Sequence, residues 1–146
     1  MKRLFLLAVM ALATVTTSAQ WLDVPAYHSR PPKKTDKLPP ILSGAQLTGP
    51  SFPRPFQAHT YRLAARIPSL LYQLPCYCHC DRSIGHTSLR SCFESEHAAS
   101  CAACLKEALY AYKMHKQGKK AAEIRQGVIR GEWEKVELRS AASSIN

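Results

Sequence analysis

Six cysteines fall between positions 76 and 104, as Cys76-Tyr77-Cys78-His79-Cys80, then Cys92, then Cys101-Ala102-Ala103-Cys104. Three histidines share the stretch: His79 inside the first run, His86 after Gly85, and His97 four residues before Cys101. Thiolates and imidazoles are the donors that soft and borderline metal ions select, and thiols are also the groups that oxidise to disulfides. The candidate site is therefore Cys76, Cys78, Cys80, Cys92, Cys101 and Cys104. His79, His86 and His97 are candidate ligands, or groups that set the protonation of one. The plainer reading of each histidine is a solvated loop residue.

Spacing leaves two chemistries open. If Cys76, Cys78 and Cys80 were extended, their thiols would project from one side with α-carbons about 6.6 Å apart, at the edge of disulfide reach, so each would need a partner elsewhere. Three such bridges to Cys92, Cys101 and Cys104 would staple the domain. Alternatively, a CxC and a CxxC from opposite ends of a loop supply four thiolates to one ion, which favours Cys78, Cys80, Cys101 and Cys104 as the core of a zinc or copper site. The CxxC opens a helix, where the positive helix end stabilises thiolate. Met114 is the only methionine beyond position 10, which gives copper thin thioether support, and Leu105 after Cys104 rules out the usual haem attachment. A thioredoxin-like reading of the CxxC is poor, because that motif should follow a strand. No Ser-His-Asp set, paired carboxylates or phosphate loop is recognisable, so the chain reads as a binding protein rather than an enzyme.

The elements around the cysteines read as helical. Phe56, Thr60, Leu63, Ile67, Leu70 and Leu74 keep a three-four spacing. Pro68 breaks it, so the spacing predicts two helices or a kink, with a stop before Pro75. Ser100 is a suitable N-cap for a second helix whose stripe runs through Leu105, Ala108, Leu109 and Tyr112 to a stop at Gly118, with Lys113, His115 and Lys116 near its carbonyl end. A shorter helix is predicted from Ala121 to Arg130, with Trp133 closing the core. The predicted fold is mostly α: a small cysteine-rich helical domain over residues 55–133, with a loop-rich metal or disulfide site. A domain of this size gains only about 3–5 kcal/mol from its core, so a covalent or metal staple is expected.

Upstream lies a proline-rich basic arm over residues 20–54, with Pro25, Pro31, Pro32, Pro39, Pro40, Pro50 and Pro53 and no sustained apolar period. Tethering is its simplest reading; docking through Ile41, Leu42 and Leu47 is the other. Residues 134–146 read as a flexible tail. Met1-Lys2-Arg3 followed by Leu4–Ala13, with Thr17-Ser18-Ala19 after it, reads as a signal peptide over residues 1–19, which places the mature chain in the periplasm or outside the cell. No cysteine follows the expected cleavage point to carry a lipid, and no later run is apolar enough for a transmembrane helix.

The formal net charge is +10, with seven basic and two acidic residues from Gln20 to Pro75, and eleven and eight from Cys76 onward. No basic patch interleaved with aromatics stands out, so nucleic acid is not an expected partner. Weak attraction to anionic envelope surfaces and contact with an unidentified envelope protein are the partners left open.

Leu74-Pro75-Cys76-Tyr77-Cys78-His79-Cys80-Asp81, with Gly85-His86, Ser88-Leu89, Cys92-Phe93, His97 and Cys101-x-x-Cys104 before a helix, resembles the exported bacterial PCYCGC-motif proteins, many of them lipoproteins. The resemblance spans roughly Phe56 to Trp133 and implies an envelope location and a cysteine site. His79 stands where the name-giving motif has glycine. A weaker likeness is to the [2Fe-2S] domain of bacterioferritin-associated ferredoxin, which also pairs a CxC with a CxxC opening a helix. Here only twenty residues separate Cys80 from Cys101, and Cys76 and Cys92 would be left over. The favoured reading is a metal-binding protein with a thiolate site for zinc or copper. The alternatives are a disulfide-stapled structural or protein-binding module with no cofactor, and a thiol-redox or cluster-bearing electron carrier.

Overall fold

The computed structural model describes residues 23–140, so the expected signal segment and residues 141–146 of the tail lie outside the described residues. The described elements are helical, with no strand among them. Five α-helices follow in order: α1 Pro55–Ala64, α2 Pro68–Leu71, α3 Cys80–Ser83, α4 Ala102–Lys116 and α5 Ala121–Ile129. Single 3-10 turns occupy Gly44–Leu47, Leu89–Phe93, Glu96–Ser100 and Glu132–Lys135.

Helix α4 is the axis of the fold and packs against α1, α2, α5 and the three later 3-10 segments. Its buried side chains include Cys104, Leu105, Ala108, Leu109, Ala111 and Tyr112, continuing the stripe read from the sequence. The stripe from Phe56 to Leu74 is buried throughout. As expected, Pro68 divides it: α1 ends at Ala64, and Pro68 stands in the first turn of α2, where its missing N–H costs nothing. Gly118, at φ 79°, ends α4, with its N–H donating to the His115 carbonyl at 2.9 Å. The side chains of Leu71, Leu74, Leu89, Leu105 and Leu109 are almost wholly withdrawn from water. Burying each is worth about 2 kcal/mol.

The proline-rich segment is docked. Pro25 is fully buried, and Ile41, Leu47 and Phe52 join the core. The Ala26 N–H donates to Asp81 Oδ2 at 3.0 Å, and His28 stacks on Tyr72 with ring centroids 3.8 Å apart. Further along, the Leu42 N–H donates to the Phe93 carbonyl at 3.0 Å, and Arg90 Nη2 donates to the Pro39 carbonyl at 2.6 Å. Of the two readings the sequence allows, tether or docking strand, these contacts are those of a strand laid over the cysteine-bearing side of the domain. No helix among the described residues is long and apolar enough to cross a membrane.

Candidate metal centre

The first three cysteines are not extended. The His79 N–H donates to the Cys76 carbonyl at 3.1 Å, closing a tight turn over Tyr77 and Cys78. His79 then takes a left-handed conformation, φ 54° and ψ 32°, and Cys80 opens α3. The turn and reversal undo the alternation an extended segment would have. Cys76 and Cys78 Sγ come within 3.0 Å, and the same turn aims both at Cys104, 3.4 and 3.5 Å away. These separations exceed the S–S bond of about 2.05 Å, and all six cysteines are free thiols.

Two other elements complete the cluster. The 3-10 turn Leu89–Phe93 buries Cys92 beside Leu89 and Phe93, and His86 Nδ1 lies 3.3 Å from its sulfur. The 3-10 turn Glu96–Ser100 presents His97, whose Nε2 stands 2.9 Å from Cys80 Sγ. That second turn is held from below by α1. The Tyr61 hydroxyl donates to the Ser95 carbonyl at 2.7 Å and accepts from the Ala99 N–H at 3.1 Å, while Gln57 Nε2 donates to the Ala99 carbonyl at 2.7 Å. Helix α4 supplies Cys104 from its first turn, with Cys101 as N-cap, one residue later than Ser100.

Two sets of four donors result. Cys76, Cys78, Cys92 and Cys104 form one, and Cys78, Cys80, Cys92 and His97 the other; within each set the ligand atoms all lie within 4.8 Å of one another. A tetrahedral ion with metal–sulfur bonds of about 2.3 Å has sulfur–sulfur edges of about 3.8 Å, so each set is compact enough to hold one ion. The grouping differs from the CxC-plus-CxxC foursome expected from spacing. Cys78, Cys80 and Cys104 are present, but Cys101, half-exposed at the helix cap, falls outside both sets, and Cys92 takes part in both. Of the histidines, His97 enters a set, His86 reaches Cys92 from outside, and His79 enters neither, its ring lying edge-on to Tyr77.

Glu107 is a site residue that spacing did not reveal. One turn after Cys104 and fully buried, it accepts the Tyr77 N–H through Oε1 at 2.8 Å, while Oε2 has no hydrogen-bond partner. Burial pushes its carboxyl up to about 8, against relief from the Cys76 thiol and the Tyr77 N–H. The signal was present in the sequence as an acidic residue on the face of Cys104, Ala108 and Ala111, where a helix stripe should be apolar.

The sulfurs compete for charge. Contacts from the Cys101, Cys104 and Cys76 thiols hold Cys78 far below the ordinary thiol range. Cys104 is driven up by its contacts with Cys101, Cys76 and Cys78, and Cys80 is driven up first by burial and then by neighbouring sulfurs. The nearby guanidinium groups are committed elsewhere, Arg82 to Asp23 and Arg90 to Glu94. A cluster of this kind carries more than one thiolate only when a cation compensates them, and ligand deprotonation then accompanies binding.

A small helical domain enclosing a sulfur-rich cluster that could hold a metal ion is the class of protein that fold and site define together. The chain belongs to the family described as "Protein of unknown function with PCYCGC motif", whose model matches residues 36–134. The match begins inside the proline-rich segment, earlier than the resemblance read from the cysteines. No curated protein and no solved structure matches the chain.

Proposed function

We infer that the protein is an exported metal-binding protein whose thiolate cluster holds zinc or copper in the cell envelope. The carrying observation is the convergence of Cys76, Cys78, Cys92 and Cys104, and of Cys78, Cys80, Cys92 and His97, each within one coordination sphere. Four-thiolate and three-thiolate-one-imidazole sets both suit zinc; sulfur-rich sets also suit Cu(I). The bound ion would neutralise the buried thiolates and tie the Cys76–Cys80 turn to Cys92 and to α4. Each set fills the four positions of a tetrahedral ion from the chain's own donors and leaves none open for a substrate, which supports storage, delivery or structural retention of metal over catalysis.

The experiment is metal analysis of the purified chain beside two variants. Cys78→Ser, which removes a donor common to both sets, should lose most of the bound metal; Cys101→Ser should keep it. Metal content unchanged in Cys78→Ser would contradict the assignment.

A further inference from the structure

The two donor sets share an edge. Cys78 and Cys92 belong to both, Cys76 and Cys104 complete one, and Cys80 and His97 complete the other. A mononuclear site would leave one of these two pairs without a role. Two tetrahedra joined along a common sulfur–sulfur edge use all six donors, each terminal one once and each shared one twice. Thiolates are able to bridge in this way because sulfur has several lone pairs and a large, polarisable valence shell.

We propose that the cluster is a dinuclear centre in which Cys78 and Cys92 bridge two metal ions, one capped by Cys76 and Cys104 and the other by Cys80 and His97. The inference rests on the metal-binding reading above. The placement of the residues supports it independently of spacing. Both shared sulfurs come from elements fixed on two sides: Cys78 from the tight turn ahead of His79, and Cys92 from the core between Leu89 and Phe93. The terminal donors come from separate supports, with Cys104 on α4 and His97 on the turn held by Tyr61 and Gln57. Each end thus pairs one donor of the Cys76–Cys80 turn with one from a separate support, and the two ends meet at the bridging pair.

Charge chooses the kind of ion. Five thiolates and a neutral imidazole sum to five negative charges. Two divalent ions leave a residual of one, whereas two monovalent ions leave three, and Cys76, Cys80, Cys92 and Cys104 are all buried. A residual of three in a region of low polarity is the costlier state. The centre is therefore one for divalent ions of zinc type, with four-coordinate geometry at each.

Cadmium-113 serves as the probe, since it replaces zinc at thiolate sites and its nuclear spin couples through a bridging sulfur. The full chain, reduced and loaded with 113Cd, should take up two ions by native mass spectrometry and give two cadmium resonances split by mutual coupling. His97→Ala, which alters a terminal ligand at the half-buried rim and leaves the core intact, should bind one ion and give one unsplit resonance. One ion per wild-type chain, or two resonances without coupling, would overturn the bridged centre and leave the metal-binding reading standing. Two ions retained by His97→Ala would overturn the assignment of the second pair. No cadmium or zinc bound at all would overturn both readings together.

Discussion

At the scale of single residues, the site depends on groups that tolerate uncomfortable states. Glu107 is the clearest. A carboxyl raised by burial from 4.5 to about 8 is held protonated in the folded chain at pH values where the unfolded chain has released its proton. Its contribution is full below about pH 4.5 and is lost as pH rises toward 8. The reduced, metal-free protein should therefore lose stability across that window, and Glu107→Gln, which keeps an acceptor for the Tyr77 N–H, should flatten the loss. Urea melts of both chains at pH 5 and pH 8 check it; parallel slopes would be contrary to a buried neutral acid.

His79 is the second such residue, the one non-glycine with positive φ among those described. The left-handed conformation costs an ordinary L-residue about 1 kcal/mol, and glycine adopts it freely. That explains why a motif written with glycine at this position is compatible with the same turn. His79→Gly should stabilise the chain by about 0.5–1 kcal/mol and leave metal content unchanged, since His79 belongs to neither donor set. A drop in bound metal would make His79 a ligand after all.

At the scale of elements, the helices were legible and the turns between them were not. Periodicity located α1, α2, α4 and α5 because each buries one face against a neighbour, and Pro68 and Gly118 fixed where helices begin and end. The 3-10 turns Leu89–Phe93 and Glu96–Ser100 have no such period. They are held by tertiary hydrogen bonds, which no local pattern announces. Cys92 and His97 ride on those turns, so the sequence named them as candidates without placing them in the central foursome, whereas Cys78 and Cys104 could be read from the CxC and CxxC motifs. Cys101 is the N-cap of α4 and lies outside both four-donor sets, while its thiol still contacts those of Cys78 and Cys104. Tyr61 is the element-scale lever. Tyr61→Phe removes both hydrogen bonds to Ser95 and Ala99, leaving the buried Ala99 N–H unpaired, and should destabilise the domain by about 1–3 kcal/mol. Thermal melts of the metal-free chain test the cost. Because that turn carries His97, the variant should also weaken metal binding, which chelator competition measures.

At the scale of the whole molecule, the proline-rich segment and the helical domain act as one body. Pro25 and Ala26 lie beside Cys76, Cys80, Asp81 and His86, so the strand covers part of the cysteine cluster. Two arginines hold its first described residues: Arg82 pairs with Asp23, and Arg125 lies over the Tyr27 ring at 4.9 Å. Prolines suit such a strand because they limit the freedom it loses on docking. The sequence showed the prolines but not the surface awaiting them, because that surface is assembled from α2, α3 and the Leu89–Phe93 turn.

The most direct measurement is the native mass of the chain, purified without added reductant, before and after treatment with a thiol-alkylating reagent. A metal-binding cluster predicts a mass above that of the apo chain, with cysteines that alkylate only once a chelator has removed the metal. A mass equal to the apo chain less six hydrogens, with no alkylation before or after chelation, would mean three disulfides and contradict the thiolate centre.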